Sequence, residues 1–222
     1  MTGPTLSRQE VDTYLGAVDW LRSILARAEV AESWGQPSAL AHYTVGGIAA
    51  HAVHGVLWLE QVLKDAEPRG LKTVAIAEFF GLNRVDGAEG DDPLAASLRS
   101  AAESFAQTGA PMVEVACTTA RDELVGLLSA ARTNRAVPVI RVAGGQVPLC
   151  EYLRTRVLEV VVHGDDIVSS VRGLHVPDPP PGAVGICLEV CVELARARVG
   201  DVVALRAFTR AERAHGGDLR VL

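Results

Sequence analysis

The residues most able to do chemistry lie in one stretch, Glu151 to Val168, which reads EYLRTRVLEVVVHGDDIV. It predicts a single helix of about four to five turns. Glu159 and His163 are four residues apart, so they lie one above the other on one helical face. Tyr152, Arg156, Asp166 and Ser170 keep to that same face. A carboxylate and an imidazole one turn apart can hold a divalent cation. A third ligand from another helix would then leave a coordination position open, as a catalytic metal requires. A Glu and a His at this spacing are more often a plain solvated face, so the third ligand decides. Arg154 and Asp165 form a second, narrower polar stripe on a different side. One stripe is expected to face water and the other to line a buried polar site.

The third ligand is sought on the helix predicted from Thr44, its cap, to about Lys64. One stripe of that helix is Val45, Ala49, Ala52, Val56, Leu59 and Leu63, and its neighbour is Ile48, His51, Gly55, Trp58 and Val62. His51 thus stands at the edge of a core-facing arc. A lone His among apolar residues is usually a hydrogen-bonded core residue. A second helix carrying Glu and His weakens that preference. Gly55, one turn after His51, leaves room for a group beside it. His54 lies further round, with Gln61 and Asp65, on the side expected to be wetter.

The rest of the chain must position these residues. Its 222 residues suit one domain or a domain with an appendage, and 49% apolar residues suffice for a packed core. A net charge of −6 gives no basic footprint for nucleic acid. No apolar run reaches membrane-spanning length and no secretory leader is evident, so a soluble cytoplasmic protein is expected, as monomer or homodimer. Cys117, Cys150, Cys187 and Cys191 form no C-x-x-C pair; Cys187 and Cys191, one helical turn apart, could bind a soft metal, but with no nearby His or Cys to complete a site they read as small buried side chains.

Ser7 to Glu10 is a capping-box pattern opening a helix over about 8–30, with Val11, Tyr14, Leu15, Val18, Leu21, Ile24 and Leu25 inward. A loop is expected from Ser33 to Tyr43. Residues 65–92 lack periodicity, with Phe79-Phe80-Gly81-Leu82-Asn83-Arg84 as the notable piece. Asp92, as cap before Pro93, predicts a helix over about 93–107, and a further helix over about 112–132 has Val113, Ala116, Ala120, Leu124, Leu127 and Leu128 inward. Two short strands around Gly144-Gly145 then lead straight into the central helix. A Pro-rich break at His175 to Pro181 precedes a helix over about 183–199, a helical 201–213 and a possible strand at 218–222. His42, His175 and His215 fall in loops or near ends, where solvation is expected.

Tyr43-Thr44-Val45 followed by His51 resembles the second-helix start of the mycothiol-dependent maleylpyruvate isomerase family, part of the DinB-like superfamily of metal-binding bundles. The run from Pro148 through His163 to Gly164-Asp165-Asp166-Ile167 is similar to its fourth-helix signature. Phe80 to Arg84 and Ala204 to Arg210 look like segments of one actinobacterial branch. The resemblance implies a mainly all-α fold: a DinB-like four-helix bundle over 1–174, with a small hairpin before the last bundle helix, and a short α/β extension over 175–222 packed on it. It also implies a divalent metal, zinc foremost, held by His51, Glu159 and His163. Mycothiol would reach that metal as a thiolate and act on a small electrophile, by transfer or cis–trans isomerisation. Asp166 is placed to orient an imidazole, Arg156 to pair with Glu159 or an anionic ligand, and Asn83 and Arg84 to meet substrate at the bundle mouth.

The family's isomerase has a sizeable further domain, whereas about forty residues follow the Pro-rich break here, so the thiol- and metal-dependent class is expected ahead of isomerisation itself. The competing expectation is a non-catalytic, metal-binding stress or interaction protein on the same bundle. A zinc-binding regulator would need a Cys-containing ligand cluster, which the spacing does not offer.

Overall fold

Residues 4–80 and 93–209 are described by a computed structural model. Four long helices make the bundle: α1 (Arg8–Leu25), α3 (Val45–Lys64), α6 (Ala110–Ala130) and α7 (Leu149–Ser170). Helix α1 packs on α6 and α7, and α3 packs on the same two, so the four stand at the corners of one core. Each supplies an apolar stripe at helical spacing. All seven inward residues expected of α1 are buried, and α6 adds Val113, Cys117, Ala120, Leu124 and Leu128.

Further elements cover the flanks. Helix α5 (Pro93–Ala106) lies on α3, and α8 (Pro181–Val199) lies on α7, followed by α9 (Asp201–Thr209). The segment 8–30 is not one helix. Helix α1 stops at Leu25, Arg27 takes extended backbone (φ −80°, ψ 131°), and the short α2 (Ala28–Glu32) seats Val30 in the core. The aperiodic region contains β1 (Lys72–Thr73) and α4 (Ile76–Phe79). The Glu78 carboxylate accepts from the Ala75 N–H to start α4.

The expected hairpin is present as β2 (Ala136–Val139) and β3 (Gly145–Pro148), with Val137 opposite Val147. It is part of a three-stranded sheet, because β1 pairs parallel with β3 at Lys72↔Gly145 and Thr73↔Gln146. The turn that closes it needs Gly144, whose φ of 69° is in the region that favours glycine. The expected cap at Asp92 and strand at 218–222 lie outside the described residues.

The residues just before β2 fix the two helices that carry the chemistry. The Leu149 and Cys150 N–H groups, orphans at the start of α7, donate to the carbonyls of Arg135 and Thr133 at 2.9 and 3.0 Å. Arg135 Nη2 donates to the Val62 and Asp65 carbonyls at 2.6 and 2.7 Å, closing the end of α3. The other end of α3 is held by Thr44, whose Oγ1 accepts from the Gly47 N–H at 2.9 Å. Glu103 of α5 accepts from the Thr44 N–H at 2.8 Å, so α5 and the cap lock together. The spacing and rotation of α3 against α7 are therefore set at several points outside the site.

Candidate metal centre

His51 reaches the site from α3, and Glu159 and His163 reach it from α7. One donor atom from each lies within 4.8 Å of the others. The His163 Nε2 and Glu159 Oε2 atoms are 3.2 Å apart. Donors on a tetrahedral zinc, with bonds of about 2.1 Å, are about 3.4 Å apart. The pair on α7 is thus already at coordination spacing, and a His51 donor lies within 4.8 Å of both. The imidazoles of His51 and His163 meet edge to face, with centroids 4.9 Å apart and planes at 85°. Tyr43 closes the far side of His51 at 5.7 Å.

The surroundings suit a cation. Burial, followed by the neighbouring His163 and Arg156 charges, holds the His51 pKa down at about 4, so its lone pair is free at neutral pH. Burial works to raise the Glu159 pKa. The His163 hydrogen bond and the Arg156 charge outweigh it, and the carboxyl is held at about 2. Burial likewise works to lower that of His163, and hydrogen bonds to Asp166 and Glu159 carry it up to about 9. His163 Nδ1 lies 3.1 Å from Asp166 Oδ2, which fixes the ring plane and aims Nε2 at the ligand group. A carboxylate behind a ligating imidazole is a recurrent arrangement in metal sites. The donor set and this support fit a divalent metal of the zinc type.

Arg156 is partly buried beside Glu159, with Nη2 3.7 Å from Oε1. Its guanidinium lies over the Tyr152 ring at 4.8 Å and near the Phe79 ring at 5.5 Å. Phe79 belongs to a piece the sequence marks as notable, but its place against Arg156 was not legible there. Asn83 and Arg84, expected at the bundle mouth, lie outside the described residues.

The two polar stripes of α7 divide as expected only in part. Asp165 is exposed, whereas Arg154 is partly covered by α8 and bonds Glu151 and Glu193 at 2.7 and 3.2 Å. On α3, His54 is not on an open wet side. It stacks on Phe105 of α5, with centroids 4.9 Å apart and planes at 13°, because α5 covers that flank. Trp58, expected on the apolar arc, emerges 39% exposed.

The described cysteines lie apart from the ligand group, which contains none of them. Burial pushes the thiols of Cys117 and Cys187 up to about 12, and those of Cys150 and Cys191 upward as well. They are thiols at neutral pH and so poor nucleophiles.

Comparisons with curated proteins and with solved structures gave no match. The family model described as the mycothiol maleylpyruvate isomerase N-terminal domain matches residues 16–168. The Ala204 to Arg210 segment lies beyond that match. Because the matched residues run from within α1 almost to the end of α7, they take in part of α1, the whole of α3 and α6, nearly all of α7 and all three candidate ligands, and the chain belongs to the mycothiol maleylpyruvate isomerase N-terminal domain family.

Proposed function

We propose that the protein is a metal-dependent enzyme that uses mycothiol as cosubstrate on a small electrophile, by thiol transfer or cis–trans isomerisation. The observation that carries this reading is the convergence of His51, Glu159 and His163 in a family described by its mycothiol chemistry. Zinc is the proposed ion, since two imidazoles and one carboxylate match its preferred donors. When bound, such an ion would lower the pKa of a thiol at its open position and hold the sulfur as thiolate.

The chain's own residues have separate parts in this scheme. His51 is neutral and ready to ligate. Asp166 orients His163, and Arg156 keeps Glu159 ionised. Asn83 and Arg84 are proposed to contact the electrophile. The raised thiol pKa values of the cysteines support an external thiol as nucleophile.

The test is to load the full chain with Zn2+ and follow consumption of a panel of small electrophiles with and without mycothiol. Turnover that requires both metal and thiol supports the reading. A protein that binds metal and mycothiol, yet turns over none of the panel, would be the non-catalytic metal-binding bundle instead.

A further inference from the structure

Arg156 is held mainly by ring faces and charge. Its guanidinium carbon sits 4.8 Å from the Tyr152 ring centre and 5.5 Å from that of Phe79. Its Nε donates to Thr155 Oγ1 at 3.3 Å. Its Nη2 lies 3.7 Å from Glu159 Oε1, a charge–charge contact longer than a hydrogen bond. Across the gap to α3, a Cβ added at Gly55 would stand 3.4 Å from Arg156 Nη1. The guanidinium therefore lies against Gly55, one turn beyond His51, where a Cβ alone would touch it and a larger side chain would enter its space.

The two oxygens of Glu159 consequently face different neighbours. Oε2 is 3.2 Å from His163 Nε2, inside the ligand group. Oε1 is turned to Arg156. A carboxylate can bind a metal through one oxygen or through both. A fixed cation beside one oxygen competes with the metal for its lone pairs and repels a second cation that approaches from that side.

We propose that Arg156 is a positioning residue that restricts Glu159 to one-oxygen ligation, and that the small residue at Gly55 leaves it room to stand there. The inference rests on the reading of His51, Glu159 and His163 as a metal centre. Its consequence is that coordination remains free for an incoming thiol. With Arg156 removed, the carboxylate can turn in its second oxygen and occupy that room.

Cobalt(II) in place of zinc reports this directly, because its visible absorption is intense in four-coordinate sites and falls as the coordination number rises. The full chain is compared with Arg156→Met, Arg156→Lys and Gly55→Leu, each checked for helix content by circular dichroism. Arg156→Met should still take up one Co2+ per chain, with a several-fold fall in visible absorption. Arg156→Lys should keep the wild-type absorption, since it restores the charge without the flat stacked group. Gly55→Leu should fall as Arg156→Met does, because it fills the guanidinium's space while it keeps every charge. Unchanged absorption in Arg156→Met, or a fall in Arg156→Lys equal to that in Arg156→Met, would overturn the proposal. Should Arg156→Met not fold, unchanged absorption in Gly55→Leu overturns it alone. A wild-type chain that takes up no Co2+ overturns the metal reading itself and this inference with it.

Discussion

Without metal, His163 is an imidazolium at neutral pH, since Asp166 and Glu159 accept from its two nitrogens and outweigh burial to hold its pKa at about 9. That value is above the ordinary 6.5, so its contribution to the metal-free fold is complete below about 6.5 and is lost as pH rises through about 9. Glu159 works the other way. Its pKa of about 2 is below the ordinary 4.5, so its contribution is present above 4.5 and lost as pH falls through about 2. A metal must displace the Nε2 proton of His163, so metal affinity should rise about tenfold per pH unit up to about pH 9. Melting curves should then diverge: chelator-treated protein loses stability from about pH 6.5 to about pH 9, while zinc-loaded protein does not. Affinity that is flat with pH would remove His163 from the ligand set. Metal analysis supplies the companion test. The wild type should hold one divalent ion per chain, and His51→Ala or Glu159→Ala should hold none. Full occupancy in the triple alanine variant at His51, Glu159 and His163 would refute the site.

The site depends on how closely helices approach, and small residues mark where. A Cβ at Gly164, next to His163, would stand 2.2 Å from the Trp20 ring of α1. Gly126, on the exposed face of α6, has nothing within 4 Å. Gly164→Ala should therefore destabilise by about 1–3 kcal/mol through overpacking. Gly126→Ala should stabilise by up to about 1 kcal/mol through helix propensity alone. Urea unfolding of both variants checks the contrast, and equal effects would show that α1 and α7 do not need this approach. The faces of α3 are separable in the same way. His54→Ala removes the Phe105 stack and should cost about 0.5–1.5 kcal/mol. It should leave metal content unchanged, because His54 faces α5 and His51 faces α7. Loss of metal in His54→Ala, with retention in His51→Ala, would mean the other histidine ligates.

Across the whole molecule, the proposed function puts the thiol chemistry on a cosubstrate and not on the protein. Cys117 is fully buried in the core, Cys187 is buried on the face of α8 that packs on α7, and Cys150 opens α7 nine residues before Glu159, about 13 Å along the axis. Replacement of all four cysteines by Ala or Ser should preserve mycothiol-dependent turnover wherever circular dichroism shows the fold intact. Turnover without added thiol that disappears in Cys150→Ser would make this a cysteine-dependent enzyme.

The sequence by itself determined the bundle helices and the metal-ligand candidates. Helical periodicity places Glu159 above His163 whatever the tertiary fold, and the apolar stripes of α1, α3 and α6 state which faces turn inward. Residues near in sequence carry their own geometry. Only the tertiary structure decided what lies across the gaps between elements. It set Phe79 and Tyr152 against Arg156, covered His54 with Phe105, and turned the expected hairpin into a three-stranded sheet through β1. It also ended α1 at Leu25, where no Gly or Pro marks a stop, because Val30 finds its core position only after a turn of the chain. The physical reason is common to all of these. Each is fixed by a partner distant in sequence, and local spacing holds no record of that partner.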